Sequence, residues 1–250
     1  MIGKLKSSSV LLAAALAIAA AVMVVYRVAS NFHFSYAGTL DSTATIVSAK
    51  VSAEILQLYA KEGQWVKKGE LLAKLDDTTY KIKAKQLDAS FARYQNLFRK
   101  GVSPKAELEN IVQQKESNDL AISWCSLYAP IEGLVVTSYR EVGENVAAGA
   151  AIYSLIDPKN NMYAYFYVPH DFVAKLKIGD EVIGKLPEMP SREFKGRIVK
   201  INEQSEFTPK NVQTRQERTR LVYGVKVAFS NDDLTLKRGM TIETDFEAAQ

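Results

Sequence analysis

Apolar positions along the chain follow three different patterns, and the first is a continuous run. Residues 7–26 carry no charge; Lys4 and Lys6 precede them and Arg27 follows them. Twenty helical residues at ~1.5 Å each would span ~30 Å, the thickness of a bilayer core. Lysines on the short N-terminal side favour a cytoplasmic N-terminus. We therefore predict a transmembrane anchor within residues 1–30, with the rest of the chain exported.

A cleaved signal segment is the alternative interpretation of the same run. Val28, Ala29 and Ser30 are small residues of the kind that a signal peptidase accepts. Both interpretations place the remainder of the chain outside the cytoplasm.

The second pattern is an internal repeat with an offset of 80 residues. Its copies run from Ala49 to Asp76 and from Ala129 to Ile156, and both contain G-x-x-V-x-x-G-x-x-[LI]-x-x-L. Glycines permit turns with positive φ, and the apolar positions between them fill short strands. One copy cannot bury its own apolar face, so we expect residues 49–76 and 129–157 to pack together as a flattened β-sandwich.

The third pattern is a heptad stripe between the two copies, with apolar residues spaced alternately four and three apart. This spacing is typical of a coiled-coil seam. Its members are Tyr80, Ala84, Leu87, Phe91, Tyr94 and Phe98. A weaker stripe follows, interrupted at Lys115 and Asp119; its members are Leu108, Ile111, Val112 and Ile122.

Capping residues divide this region into two helices. Asp76, Asp77 and Thr78 suit a helix N-terminus, and Gly101 suits the left-handed position after a helix. Ser103 and Pro104 are predicted to open the second helix, with Ser103 as its N-cap. We predict an antiparallel helical hairpin over residues 77–125 that projects from the sandwich.

Candidate chemistry is sparse along the whole chain. Cys125 is the only cysteine and His33 and His170 are the only histidines, so neither a zinc cluster nor a His-rich metal site is predicted. No phosphate-binding loop or nucleophile–base order appears. A biotin or lipoyl carrier is disfavoured because helices replace the tight turn that would present its lysine. We therefore predict no enzyme activity, no cofactor and no metal.

The charge distribution argues against nucleic acid as a partner. A net charge of +4 and a pI near 8.9 are only mildly basic. Residues 192–220 carry eight Lys or Arg against four Glu, but aromatic residues do not alternate with them. This basic stretch is interpreted as a solvated surface, with docking to a pump or contact with lipid headgroups as alternatives.

Strands with alternating apolar residues follow the second copy, from residue 161 onward. Two half-motifs split by a helical hairpin, behind an apolar N-terminal run, resemble the HlyD-like membrane fusion, or periplasmic adaptor, family. The segment from Glu206 to Tyr223 resembles adaptors that serve ABC-type exporters. The resemblance implies a mainly β fold with a lipoyl-like sandwich and a β-barrel formed by residues 38–48 and 161–250.

The resemblance also implies a function. The chain would be a single-pass inner-membrane protein, with its bulk in the periplasm, that links an ABC-type pump to a TolC-type outer-membrane channel in a ring of six copies. Arg93, Leu97 and Ser103 resemble the family's channel-binding motif, R-x3-L-x6-S, with one residue fewer between Leu97 and Ser103. The alternatives are an adaptor of an RND- or MFS-type pump and a structural protein that bridges the envelope without a transporter.

Overall fold

The computed structural model describes residues 35–207 and 221–246, which form two compact units. One unit comprises residues 40–163 and 228–240, and the other lies within residues 1–39, 164–227 and 241–250. The predicted anchor lies outside the described residues. Within the described part of the chain, no helix is long and apolar enough to cross a membrane.

The first unit contains a β-sandwich of two four-stranded sheets, with strand orders β2-β9-β7-β4 and β6-β5-β3-β8. Each sheet takes strands from both copies of the repeat. The first copy and the segment before it supply β2 (Ala44–Ser48), β3 (Ala53–Leu58), β4 (Trp65–Val66) and β5 (Leu71–Leu75). The second copy and the residues before it supply β6 (Ser126–Tyr128), β7 (Gly133–Ser138), β8 (Asn145–Val146) and β9 (Ala151–Ile156).

Backbone hydrogen bonds exchanged between the copies explain why the repeat is needed twice. The Gly63 amide donates to the Val135 carbonyl at 2.8 Å, and the Gly143 amide donates to the Ile55 carbonyl at 2.8 Å. Both glycines have positive φ, 79° and 90°. Since the amide of each of these glycines donates to a carbonyl of the other copy, the predicted association of the two copies is confirmed.

The predicted hairpin is present as α1 (Thr78–Arg99) and α2 (Lys105–Trp124). Leu87 is the one residue of the heptad stripe that is buried, and Phe98 is 41% exposed. The apolar stripe on α2 is interrupted by polar contacts at Lys115, as predicted. Lys115 pairs with Asp88, and its Nζ lies 5.8 Å from the centre of the Phe91 ring. The seam between the helices is therefore partly polar and only partly buried.

The turn between the helices confirms one predicted cap and corrects another. Gly101 has φ 70°, its amide donates to the Phe98 carbonyl, and the Val102 amide donates to the Leu97 carbonyl at 2.9 Å, which closes the first helix. The assignment of Ser103 as N-cap was wrong. The second helix begins one residue later, at Lys105, with Pro104 in the extended N-cap position.

The second unit contains most of a β-barrel. Its strands are β1 (Tyr36–Ser42), β10 (Met162–Pro169), β11 (Glu181–Leu186), β12 (Met189–Ile201), β13 (Glu206–Phe207), β14 (Leu221–Phe229) and β15 (Thr241–Thr244). The strand order is β10-β1-β15-β11-β12-β14-β13, and pairing of β10 with β14 closes a six-stranded barrel. A short helix, α3 (His170–Val173), follows β10. The mainly β architecture agrees with the prediction.

One predicted barrel segment is divided in the structure. Residues 38–48 were assigned to the barrel as a single strand. In the structure β1 ends at Ser42 and pairs with β15, whereas β2 begins at Ala44 and pairs with β9 in the sandwich. Residues 44–48 therefore belong to the sandwich, because their backbone groups bond to its sheet.

Candidate docking site

The hairpin tip, defined here as residues 93–105, is the part of the helices farthest from the sandwich. Twenty-two residues in α1 give it a length of ~33 Å. Hydrogen bonds from the Gly101 and Val102 amides close the turn. The tip is therefore a hydrogen-bonded turn presented at the end of a long arm.

The three predicted contact residues occupy different environments at this tip. Arg93 is exposed, and its guanidinium carbon lies 5.6 Å from the centre of the Tyr94 ring. Leu97 is half-buried, and its position one helical turn after Arg93 places both on one face of α1. The Ser103 hydroxyl donates to the Pro104 carbonyl at 3.5 Å. The bond from Val102 to Leu97 brings the turn that carries Ser103 back to Leu97.

Two exposed apolar residues at the tip were not among the contact residues that the sequence predicted. Val102 is 71% exposed, the highest value among the large hydrophobic residues that the structure describes, and Phe98 is 41% exposed. An apolar side chain exposed to this degree in a hydrogen-bonded turn is a candidate anchor for a partner. The sequence indicated this exposure, because Val102 directly follows Gly101, which ends the first helix, and lies in a turn that the second helix does not cover.

The tip is also basic. Residues 93–105 contain Arg93, Arg99, Lys100 and Lys105 and no acidic residue. Lys105 is paired with Glu109 at 2.8 Å, and the Glu109 carboxylate raises the pKa of the Lys105 amine. Among the described residues the other three cations have no ion-pair partner. The tip therefore combines exposed apolar side chains with unpaired positive charge, which suits a partner that presents carbonyls or carboxylates.

A network of charges fixes the base of the hairpin on the sandwich. The Asp77 carboxylate accepts from Lys74 at 2.8 Å and from Lys81 at 2.9 Å, and Lys74 also donates to the Ser126 hydroxyl at 3.2 Å. The ammonium groups, Lys74 first and then Lys81, hold the pKa of the Asp77 carboxyl below its usual range. Because these residues lie on β5, α1 and β6, the network ties both ends of the hairpin to one sheet.

The two adjacent aspartates at this base have separate structural roles. Asp77 occupies the N-cap position of α1 but makes no side-chain bond to a helical amide. Asp76 accepts from the Thr78 amide at 2.9 Å instead, and hydrogen bonds from the Thr78 side chain and amide lower the pKa of its carboxyl. These partners account for both carboxylates without a catalytic role.

Cys125 sits under the same network. It is fully buried, its Sγ lies 3.4 Å from the Ala121 carbonyl, and burial raises the pKa of its thiol. A raised pKa disfavours the thiolate that a nucleophile or metal ligand requires. In the described ranges no three His, Cys, Asp or Glu side chains group closely enough to hold a metal ion.

Comparison with known proteins places the sandwich and hairpin in context. Residues 43–157 match the family described as "RND MFP, barrel-sandwich hybrid domain". A UPF0194 membrane protein of Acidithiobacillus ferridurans is 32% identical over 117 residues, which cover 46% of this chain and 34% of that protein. The matched segments cover 34% to 43% of the length of the first three curated relatives.

Solved structures share the architecture at low sequence identity. The membrane fusion protein Spr0693 of Streptococcus pneumoniae superposes with a TM-score of 0.67 at 14% identity and covers 84% of this chain and 98% of that one. MacA of Actinobacillus actinomycetemcomitans gives a TM-score of 0.59 at 21% identity, covering 84% of this chain and 76% of that one. These similarities support the fold.

Proposed function

We propose that the chain is a membrane fusion protein, or periplasmic adaptor, and that it is the adaptor subunit of a tripartite efflux pump. The match of residues 43–157 to the barrel-sandwich hybrid domain family supports this proposal. The observation that carries the proposal is the helical hairpin inserted between the two halves of a hydrogen-bonded sandwich. A tied base and an uncovered tip suit a protein whose function is to bridge two partners.

The hairpin tip is the proposed contact with a TolC-type outer-membrane channel. In this proposal Leu97 and Val102 pack on the channel, Arg93 hydrogen-bonds to its carbonyls or carboxylates, and Ser103 lies at the edge of the contact. The exposed apolar area and the unpaired cations at the tip support this assignment.

The inner-membrane partner is proposed to be an ABC-type transporter. The resemblance of the segment from Glu206 to Tyr223 to adaptors of such pumps supports this choice. An RND-type transporter is the second candidate, because the matched domain family is described for RND adaptors. An MFS-type transporter remains a third alternative from the sequence.

Membrane attachment and assembly complete the proposal. The uncharged run at residues 7–26 is proposed to span the inner membrane once and to remain attached, leaving the bulk of the chain in the periplasm. A ring of six copies would surround the conduit. An intact mass that retains residues 1–30 is the expected result for the membrane-bound chain, and a mature N-terminus at Asn31 would contradict the anchor.

Copurification distinguishes the adaptor from a structural bridging protein. The full-length chain, tagged at its C-terminus, is cross-linked in cells with a reversible reagent and purified from the membrane fraction. We expect an ABC-type transporter and a TolC-type channel in the same complex, and an RND- or MFS-type transporter would instead establish one of the alternatives. Recovery of envelope proteins without any transporter would contradict the adaptor function and support structural bridging.

A further inference from the structure

A recess of about 340 Å³ opens between β2 and β6, which are edge strands of the two sandwich sheets. The repeat offset relates these two strands, because Val47 corresponds to Leu127 and Ser48 to Tyr128. The recess therefore lies where the two copies face each other. The symmetry is broken at its rim, where Lys50 corresponds to Pro130 and the recess has a single cation.

The recess combines apolar walls with one unneutralised charge. Val47 and Leu127 are buried within it, Trp124 is half-buried, and Tyr128 is 54% exposed. Ser48, Ser123 and Ser126 complete the lining, and no acidic residue belongs to it. The Lys50 ammonium lies 6.0 Å from the centre of the Trp124 ring. Among the described residues Lys50 has no ion-pair partner.

A second lysine–tryptophan pair in the same unit shows what Lys50 lacks. The Lys159 ammonium lies 5.4 Å from the centre of the Trp65 ring. There the indole nitrogen of Trp65 donates to the Glu132 carboxylate at 3.2 Å, so an acidic group is part of the cluster. The Lys50–Trp124 pair has the same cation and the same kind of ring. Among the described residues no carboxylate bonds to it, and the recess opens beside it.

We propose that this recess binds a small amphiphilic anion, an aromatic or short aliphatic carboxylate. The apolar body of the ligand would lie against Val47 and Leu127 between the rings of Trp124 and Tyr128, and its anionic group would contact the Lys50 ammonium. Apolar walls with one convergent charge are typical of sites for such ligands. The site is independent of the proposed adaptor function, since it uses no residue of the hairpin tip.

Fluorescence of a single tryptophan tests the site directly. The chain has two tryptophans, so Trp65→Phe leaves Trp124 as the only reporter. The full-length Trp65→Phe protein, in non-ionic detergent, is titrated with 4-nitrobenzoate, a quencher that carries the expected charge, and with the neutral 4-nitrobenzamide. We expect saturable quenching by the carboxylate and an affinity at least about tenfold lower for the amide.

Two matched variants then locate the charge. In the Trp65→Phe background, Lys50→Met should raise the dissociation constant for 4-nitrobenzoate about tenfold, and Lys159→Met should leave it unchanged. Because Lys50 is exposed, the melting temperature of Lys50→Met should match that of its parent.

Four results would overturn the proposal. Quenching that rises linearly without saturation would show collision only. Equal affinities for the carboxylate and the amide would show that the site does not recognise the negative charge of the ligand. An unchanged affinity in Lys50→Met would show that the Lys50 ammonium does not contact the ligand. A change in sedimentation coefficient caused by Lys50→Met would instead show that a second copy of the chain occupies the recess.

Discussion

The sandwich and the helical hairpin belong to one compact unit, yet they are stabilised in different ways. In the sandwich Ile55, Leu75 and Leu155 have no exposed surface, and the turns of one copy bond to the carbonyls of the other. In the hairpin only Leu87 and Asn118 are buried. The sandwich therefore supplies most of the hydrophobic stabilisation, and the hairpin leaves much of its side-chain surface available to partners.

The seam of the hairpin differs chemically from the sandwich core as well. Asn118 is buried between the helices and its side-chain amide donates to the Tyr80 carbonyl at 2.9 Å. A buried polar group in a helical seam fixes the alignment of the helices at a cost in stability. The comparison indicates that the hairpin sequence favours a defined register and an open surface over maximal burial.

The largest expected effect is on the free energy of unfolding, from substitutions in the sandwich core. Leu75→Ala and Leu155→Ala remove equivalent, fully buried side chains from the two copies, so each should cost about 2–5 kcal/mol. Leu108→Ala, at a half-buried seam position, should cost about 1 kcal/mol. Urea denaturation followed by circular dichroism measures all three. If Leu75→Ala or Leu155→Ala were as stable as Leu108→Ala, the proposed difference between the sandwich core and the hairpin seam would be contradicted.

The next effect is on docking of the tip. Leu97→Asp would place an unpaired charge in the proposed contact and should weaken channel binding by about 2–4 kcal/mol, which would abolish export. Arg93→Asp should act in the same direction. Copurification of the channel measures the loss, and the melting temperature should hardly change.

Leu120→Asp is the matched control for the tip variants, since Leu120 is 49% exposed near the hairpin base. It should leave channel binding intact. Normal export by both tip variants would show that the docking surface lies elsewhere.

A smaller effect, dependent on pH, is expected at the hairpin base. The folded pKa of Asp77 lies below its unfolded value, so the stabilisation is present above the unfolded pKa and is lost as pH falls through the folded one. The free energy of unfolding of Asp77→Asn should therefore be about 1–3 kcal/mol lower than that of the parent at pH 7. This difference between the two proteins should narrow below about pH 4. Denaturation at several pH values tests this, and a difference independent of pH would exclude the charge network as its cause.

The smallest effect is expected at Ser103. A serine that caps a helix typically contributes about 1 kcal/mol. In the structure Pro104 holds the N-cap position and no side-chain cap bond is made, so Ser103→Ala should change the free energy of unfolding by less than about 0.5 kcal/mol. Thermal denaturation measures the change, and a loss near 1 kcal/mol would restore Ser103 as the cap.

Features set by local sequence could be predicted. The glycines at an offset of 80 residues predicted turns, because glycine tolerates the positive φ that these turns adopt. The repeated turns and the apolar positions between them predicted the sandwich. The heptad stripe likewise predicted the first helix, because its spacing matches the helical period, and the weaker stripe together with the capping residues predicted the second. Gly101 was identified as the first helix's stop for the same local reason.

Features set by the choice of a distant partner could not be predicted. Residues 38–48 alternate as one strand, and nothing local shows that β1 bonds to β15 and β2 to β9. The exposure of Val102 and Phe98 depends on where the second helix begins. Lys50 meets Trp124 only because two edge strands, far apart in sequence, lie side by side.

The central claim, that the hairpin tip docks on an outer-membrane channel, is tested most directly by site-specific photocrosslinking in cells. A photoreactive residue replaces Val102 at the tip or, as the control, Ile82, which is 54% exposed near the base of α1. We predict that the probe at position 102 captures a TolC-type channel and that the probe at position 82 does not. Failure of position 102 to capture any outer-membrane protein, or equal capture of the channel at both positions, would contradict the claim.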